Sequence, residues 1–440
     1  MATLIEQYKN RIAKANEFYK SNHNGQEMSL TKQLITARCL DNTSKFLNEA
    51  FANSKGTQLG AMQDYKRFCA AVTSVAVPDL IAHELCMTYP MASITGYVAY
   101  LRFTAGSSKG ETKQGDVFND AFRLGKVDPN YTSDRVVETA TVAAEGNKTV
   151  TLLWTPVEVV DGKLKDGKIL TAAGVEITDY TATPEGVITI NAGANNGDTV
   201  KVGYLYNNAV IPQNDLPILN AEMDGIDLKA KVRRIAVYYS NLAAFQAKND
   251  YDFDMQSELA KQAVGQLNYE IDTECVKLLA DNAEANPALV WSSNQPYGVS
   301  MTEHYQSFLK VIGDADNIIY TKTRRFKADY IVIAADVLPV INFIHTYVPA
   351  PARSVNGPYF AGTIGALKVF VSPALESNTF FFGVNRNELK ASAAVFAPYM
   401  PIVPTQLLGY ADGGMSQGFS TMYDLKILNK DLLVSGRITA

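Results

Sequence analysis

The sequence predicts an α+β chain interrupted by a separate all-β segment, and three observations predict it. Residues 252–286 carry Leu259, Ala263, Leu267, Ile271, Cys275 and Leu279 at four-residue spacing with no internal proline, the pattern of one long helix buried along a single stripe. From about Thr132 to Leu216 the composition shifts to short Val, Ile, Thr and Tyr runs parted by Gly, Asn and Asp. In the last third, helical and strand-like stretches alternate.

Residues 2–22 repeat apolar side chains at Leu4, Tyr8, Ile12, Ala15 and Tyr19, and a second helical stretch from Ser29 carries Leu30, Leu34, Phe46 and Leu47. This amphipathic pair reads equally as an arm that packs on something else or as an ordinary helical hairpin. A third helical stretch covers 61–91, and "TGYVAYLRF" (95–103) alternates as a strand through Val98, Tyr100 and Arg102. "TAGSSKGETKQGD" (104–116) has almost no apolar content and is expected to be a mobile, solvent-reaching loop.

The β-rich segment 132–216 holds 6 Lys/Arg and 11 Asp/Glu, so it alone carries a balance equal to the −5 of the whole chain. Its "DGKLKDGK" turns lack the ligand spacing of a calcium loop. After Pro217 the chain is expected to turn helical, leading into the 252–286 helix, on the order of 50 Å long at ~1.5 Å per residue. Asp252 and Asp254 place negative charge at its positive end. Buried strands are expected at 329–341, 367–373 and 380–384. "AVFAPYMPIVP" (394–404) has Pro398, Pro401 and Pro404 at every third residue, the period of a polyproline II ligand. Exposed, its Phe396, Tyr399, Met400, Ile402 and Val403 would form an apolar patch, so an extended, edge-like segment buried in its own domain or against another subunit is the better reading.

At 440 residues, nearly half apolar, the chain has the length for two or more domains. Forty Lys and Arg against 45 Asp and Glu give no global basic surface for nucleic acid. Cys39, Cys69, Cys86 and Cys275 are widely spaced, as buried thiols of a reducing compartment are. The chain has neither a run of about 18 uncharged apolar residues nor a leader-like start, which predicts a product that stays in the cytoplasm where it is made, with no membrane partner.

Signs of chemistry are few. His23, His83, His304 and His345 are far apart and form no zinc-binding pair, and there is no GxSxG, phosphate-loop or GxGxxG motif. "ADGGMSQG" (411–418) reads as a turn, and Glu270 with Glu274 as like charges on one helix face. "TKTRRFK" (321–327) is the one basic cluster, suited to a solvated edge or a subunit salt bridge. No catalytic residue, metal or cofactor is expected.

Four stretches, in order, resemble the major capsid proteins of tailed bacteriophages, most nearly the T-even type. They are "VPDLIAHELCMTYPMASITGYVAYLRF", "DLKAKVRRIAVYYSNLAAFQAKNDYDFDMQSELAKQAVGQLNYEID", "DADNIIYTKTRRFKADYIVIAADVLPVI", and "LKVFVSP" with "FFFGVNRNELKASAAVFAPYMPIVP" and "FSTMYDL". The resemblance implies the tailed-phage and herpesvirus-type capsid fold. Mapped onto this chain, that is an N-terminal helical arm (1–60), a peripheral domain with a spine helix (61–94 and 217–320), an extended loop overlapping a neighbour (95–131), an axial domain (321–425) and a return to the peripheral domain (426–440). The segment 132–216 occupies an insertion position, with an immunoglobulin-like sandwich as the expected form and a buttress between subunits as the favoured job.

The resemblance further implies self-assembly into pentamers and hexamers that enclose double-stranded DNA, with scaffolding, portal and decoration proteins as partners. Assembly would take place in the host cytoplasm, and contact with packaged DNA would be weak. Candidate interface residues are Arg102, Lys109, Glu111 and Lys113 on the loop, Arg324 and Arg325, and Phe396, Pro398, Tyr399 and Pro401 near the axial centre. Glu49 in "LNEA" is a candidate prohead-protease position. The alternatives are a nanocompartment (encapsulin-like) shell of the same fold, and a host- or polysaccharide-binding protein built on the β-segment.

Overall fold

The computed structural model describes residues 2–22, 26–52, 69, 80–119, 125, 128–143, 146–207, 216–252, 254–351 and 357–439. Most of the expected 61–91 helical stretch, and His23, lie outside them. The chain forms two compact units, Met1–Val98 with Ile226–Ala440, and Ala99–Gly225.

The first unit is built on two sheets and the long helix. That helix runs Met255–Asn282, 28 residues or about 42 Å, shorter at both ends than the 252–286 expected. Asp252 is not in its first turn: it takes a left-handed conformation (φ 51°) and ends a separate helix, Asn241–Tyr251. Asp254 is the residue at the N-terminal boundary. Beyond Asn282 the chain turns into a strand, Glu284–Ser292. The buried stripe is the predicted one, Ala263, Leu267, Ile271, Cys275 and Leu279, with Ala260 beside a half-buried Leu259.

The stripe serves two sheets in succession. Ala260, Ala263 and Leu267 pack with Ile235, Val237, Ile402 and Phe419 of a sheet ordered 87–88, 394–404, 414–427, 231–240. Ile271, Cys275, Val276 and Leu279 belong instead to the largest core, around a seven-stranded sheet ordered 284–292, 433–439, 379–383, 330–334, 367–372, 359–364, 347–349. Its central strand, Tyr330–Ala334, is buried throughout, as a strand covered on both faces must be.

The sequence reading needs one correction here. The helix expected after Pro217 is two strands, Leu219–Lys229 and Lys231–Ser240, whose alternating exposure is the period of a sheet. Within 321–425, strand 414–427 pairs with 231–240 on one side and with 394–404 on the other, whereas 330–334, 367–372 and 379–383 lie in the seven-stranded sheet. Leu433–Thr439 lies between Glu284–Ser292 and Thr379–Gly383 in the seven-stranded sheet, so the end of the chain pairs with a strand of 217–320.

The N-terminal helices, Ala2–Gln7, Lys9–Asn22 and Leu30–Ala52, sit on their own chain. Leu47 packs on Met400 and Val403, and Asn42 Nδ2 donates to the carbonyls of Tyr399 (2.6 Å) and Met91 (2.9 Å).

Among its described residues the second unit is built of strands and turns. Sheets ordered 135–141, 199–205, 168–171, 176–177 and 180–182, 187–190, 149–151 share one core that includes Val136, Ile169, Ile188, Val202 and Tyr204. The "DG" of the "DGKLKDGK" stretch makes the two-residue turn between strands 159–160 and 163–164, with φ 51° at Asp161 and 74° at Gly162. Backbone torsion, not a calcium ligand set, accounts for that spacing.

Candidate assembly surfaces

Lys109 sits on the segment expected to be a mobile polar tip, yet it is 2% exposed. Its Nζ donates to the carbonyls of Tyr131 (2.9 Å) and Ser133 (2.5 Å) and to the Tyr206 hydroxyl (2.9 Å), and lies over the rings of Tyr206 and Trp154. Burial lowers its pKa, and Asp128 and Asp134 oppose that shift. The segment around it is closed by paired backbone bonds between Lys109 and Thr112 and by a 2.6 Å ion pair from Lys201 to Glu111. Lys109 is thus an internal clamp, and of the loop candidates Glu111 and Lys113 are exposed, Glu111 within its pair with Lys201. Arg102 pairs across the strands with Glu222 (3.0 Å) and Asp224 (3.8 Å).

The proline-rich segment is a strand, Ala394–Pro404, covered on both faces. Phe396, 1% exposed, meets His83 and Tyr423 edge-on or tilted, and Ile402 faces the long helix. Val395 and Ala397 pack with Met91, Val98 and Leu228 on another cluster, and Met400 and Val403 meet Leu47. The register shifts fall between Pro398 and Met400 and between Met400 and Val403, so Pro401 sits in an irregular stretch of the ladder and Pro398 beside one, while Pro404 pairs in register with Phe419. Phe396, Pro398 and Pro401 are therefore core residues of this chain, which corrects their placement at a subunit interface; Tyr399 is half-buried.

Arg324 and Arg325 stand at the end of the helix Phe308–Thr323, with Arg324 exposed in a left-handed C-cap (φ 56°) and Arg325 half-buried. The structure does not bring them together with 394–404, since they lead into the other sheet. Glu49 lies on the helix Leu30–Ala52.

Three groupings escaped the sequence reading. Glu84 is held between Lys32 (3.0 Å) and Lys368 (2.7 Å); burial would raise its pKa, and the two ammonium groups outweigh that and hold it at about 2. Arg233 bridges Glu270 (3.5 Å) and Glu274 (2.5 Å), which explains two carboxylates on one helix face. The helix Asn241–Tyr251 has no buried residue, and it leaves Leu242 at 68%, Phe245 at 63% and Tyr251 at 82% exposure. Its apolar pair at i and i+3 was visible as "NLAAF" but was absorbed into the approach to the long helix.

His83 bonds Thr88, and His304 bonds the Ser292 carbonyl while stacking on Trp291, so both are occupied structurally. No cluster of three metal-ligating side chains occurs among the described residues.

A model of the Gp23 major capsid protein family matches residues 62–434. The chain belongs to that family. Its relatives include the major capsid protein of Vibrio phage KVP40, 22% identical over 425 residues that cover 87% of this chain and 81% of that one. The major capsid protein of Escherichia phage AR1 is 22% identical over 474 residues, covering 91% and 88%. Among solved structures the chain is similar to one from Microbacterium phage Oxtober96, with TM-score 0.39 and 9% identity over 81% of this chain and 90% of that one. The family is a structural one, and its members form the shell of a tailed-phage virion. Of the candidates read from the sequence of this Gp23-family chain, Lys113 and Arg324 are exposed, whereas Phe396, Pro398 and Pro401 are covered by its own fold.

Proposed function

We propose that this chain assembles with copies of itself into pentamers and hexamers that close an icosahedral head around double-stranded DNA. The observation that carries this reading is the helix Asn241–Tyr251, which presents Leu242, Phe245 and Tyr251 to solvent with no residue buried by its own chain. Apolar area of that kind is covered in the assembled state, and in a self-associating shell the covering surface is a second copy. Arg102, Lys113, Arg324 and Arg325 supply interface charge, and the acidic β-unit faces neighbouring or decoration proteins. The work is mechanical, distributed over many weak contacts, with no catalytic step. Scaffolding and portal proteins guide closure in the host cytoplasm.

Negative-stain electron microscopy of the purified chain, co-expressed with its scaffold where needed, should show shells, tubes or rings. The double substitution Leu242→Ser with Phe245→Ser should leave a folded monomer, of unchanged melting temperature, that forms none of them. Normal particles from the double variant would remove this helix from the interface.

A further inference from the structure

Cys86 and Cys275 are 189 residues apart in sequence, fully buried, and their Sγ atoms lie 3.1 Å apart. Cys86 caps the short helix Ala82–Leu85, and Cys275 is on the buried stripe of the long helix. One turn away, Asp272 Oδ1 accepts from the Ala82 N–H at 3.0 Å and holds the same two elements together. A disulfide S–S bond is ~2.05 Å long, so closing one needs about 1 Å of approach between atoms already facing each other. Beside them sits Tyr330, whose hydroxyl is buried and unpartnered among the described residues and whose ionisation is opposed by burial and then by Cys86 and Cys275. The hydrogen bond shared with Cys86 and then burial push the Cys275 thiol well above the usual thiol range. Cys39 lies with Ile35, and Cys69 with Leu47, Met400 and Val403.

We infer that Cys86 and Cys275 form a redox-modification site, a dithiol in reducing surroundings that a small peroxide converts to an intrachain disulfide. In the first step one sulfur displaces hydroxide from the peroxide O–O bond and becomes a sulfenic acid, the hydroxide leaving as water with that thiol's proton. The second sulfur then attacks the sulfenyl sulfur, the S–S bond forms, the S–O bond breaks, and a second water carries away the remaining thiol proton. Two thiols and one hydrogen peroxide thus give one disulfide and two waters, with the sulfurs oxidised and the peroxide reduced. The bond would staple the Ala82–Leu85 turn to the long helix and close a loop containing the whole of 87–274, so the oxidised chain unfolds at higher temperature.

The test uses the full chain, treated with hydrogen peroxide or left reduced, then denatured, alkylated and weighed intact. Four alkylated thiols before treatment should become two after it, with a Cys86–Cys275 linked peptide in the digest and all four restored by dithiothreitol. The melting temperature should rise on oxidation and fall back on reduction. Cys86→Ala and Cys275→Ala should each abolish the link and the rise; where either fails to fold, the thiol count and peptide map of the parent chain stand alone. Four thiols persisting in the peroxide-treated folded chain, a link to Cys39 or Cys69, or sulfinic acid at both positions would overturn the inference.

Discussion

Replacing Lys109 with methionine keeps the length of the side chain while removing its charge and its three donated hydrogen bonds. The Tyr131 carbonyl loses its ammonium donor, whereas the Tyr206 hydroxyl can still turn to the Ser133 carbonyl, 3.4 Å away. Hydrogen bonds to a charged group contribute ~1.5–3 kcal/mol each, and the dehydration that a buried ammonium suffers offsets part of that sum. Loss of contact with the Trp154 and Tyr206 rings adds on the order of 0.5–1 kcal/mol. A net cost of about 2–3 kcal/mol follows, roughly 30- to 150-fold in the opening equilibrium of the segment, since ~1.4 kcal/mol is tenfold. Hydrogen exchange is the direct assay, because the Lys109 and Thr112 amides bond each other's carbonyls and are released when the clamp opens. In the isolated full chain, peptides spanning 104–116 should exchange faster by that factor in Lys109→Met. Exchange within about twofold of the parent would refute the clamp and return Lys109 to the solvent-facing role its sequence context suggested.

Glu84→Gln should lower stability by about 1–3 kcal/mol near neutral pH, the upper figure being reduced by the partial exposure of the carboxylate. Since the folded pKa is depressed, its contribution is complete above the unfolded value of ~4.3 and is lost as pH falls toward about 2, so melts taken down that range should converge with those of the variant. Phe396→Ala removes a ring that is 1% exposed and should cost ~3–5 kcal/mol in unfolding of the monomer, a loss that a purely intersubunit residue would not show. Arg233→Met leaves Glu270 and Glu274 as like charges four residues apart and should lower the melting temperature more at low salt than at high salt, read by calorimetry at two ionic strengths.

The helix stripe was legible because it is periodic and the buried strands because their apolar runs are continuous, though the strand expected over 329–341 ends at Ala334 and the chain turns into the helix Leu338–Asn342, which an apolar run alone does not distinguish. The ends of the long helix were not legible: Asp252 looks like a capping acid until its left-handed backbone is seen, and the alternating "ALVW" after Pro287 was too short to outvote the helical run. The proline strand was legible as extended and buried. What covers it was not, since the covering groups come from Leu47, the long helix and Tyr423, hundreds of residues away in the case of Leu47. Lys109 was misread for the same reason, because Trp154 and Tyr206 turn a polar loop residue into a core cation and composition within 104–116 carries no trace of them. At the uncovered helix the signal was present in Leu242 and Phe245, but an apolar pair on a short helix is ordinarily core.

The long helix bears on one sheet through Ala260–Leu267 and on the other through Ile271–Leu279, so the single turn between Leu267 and Ile271 sets the alignment of both. It behaves as a beam fixed at two points. Arg233 and Tyr423 of the first sheet also reach Glu274 past that turn, so a glycine placed there is expected to loosen a joint that is braced from both sides, read as a fall in melting temperature.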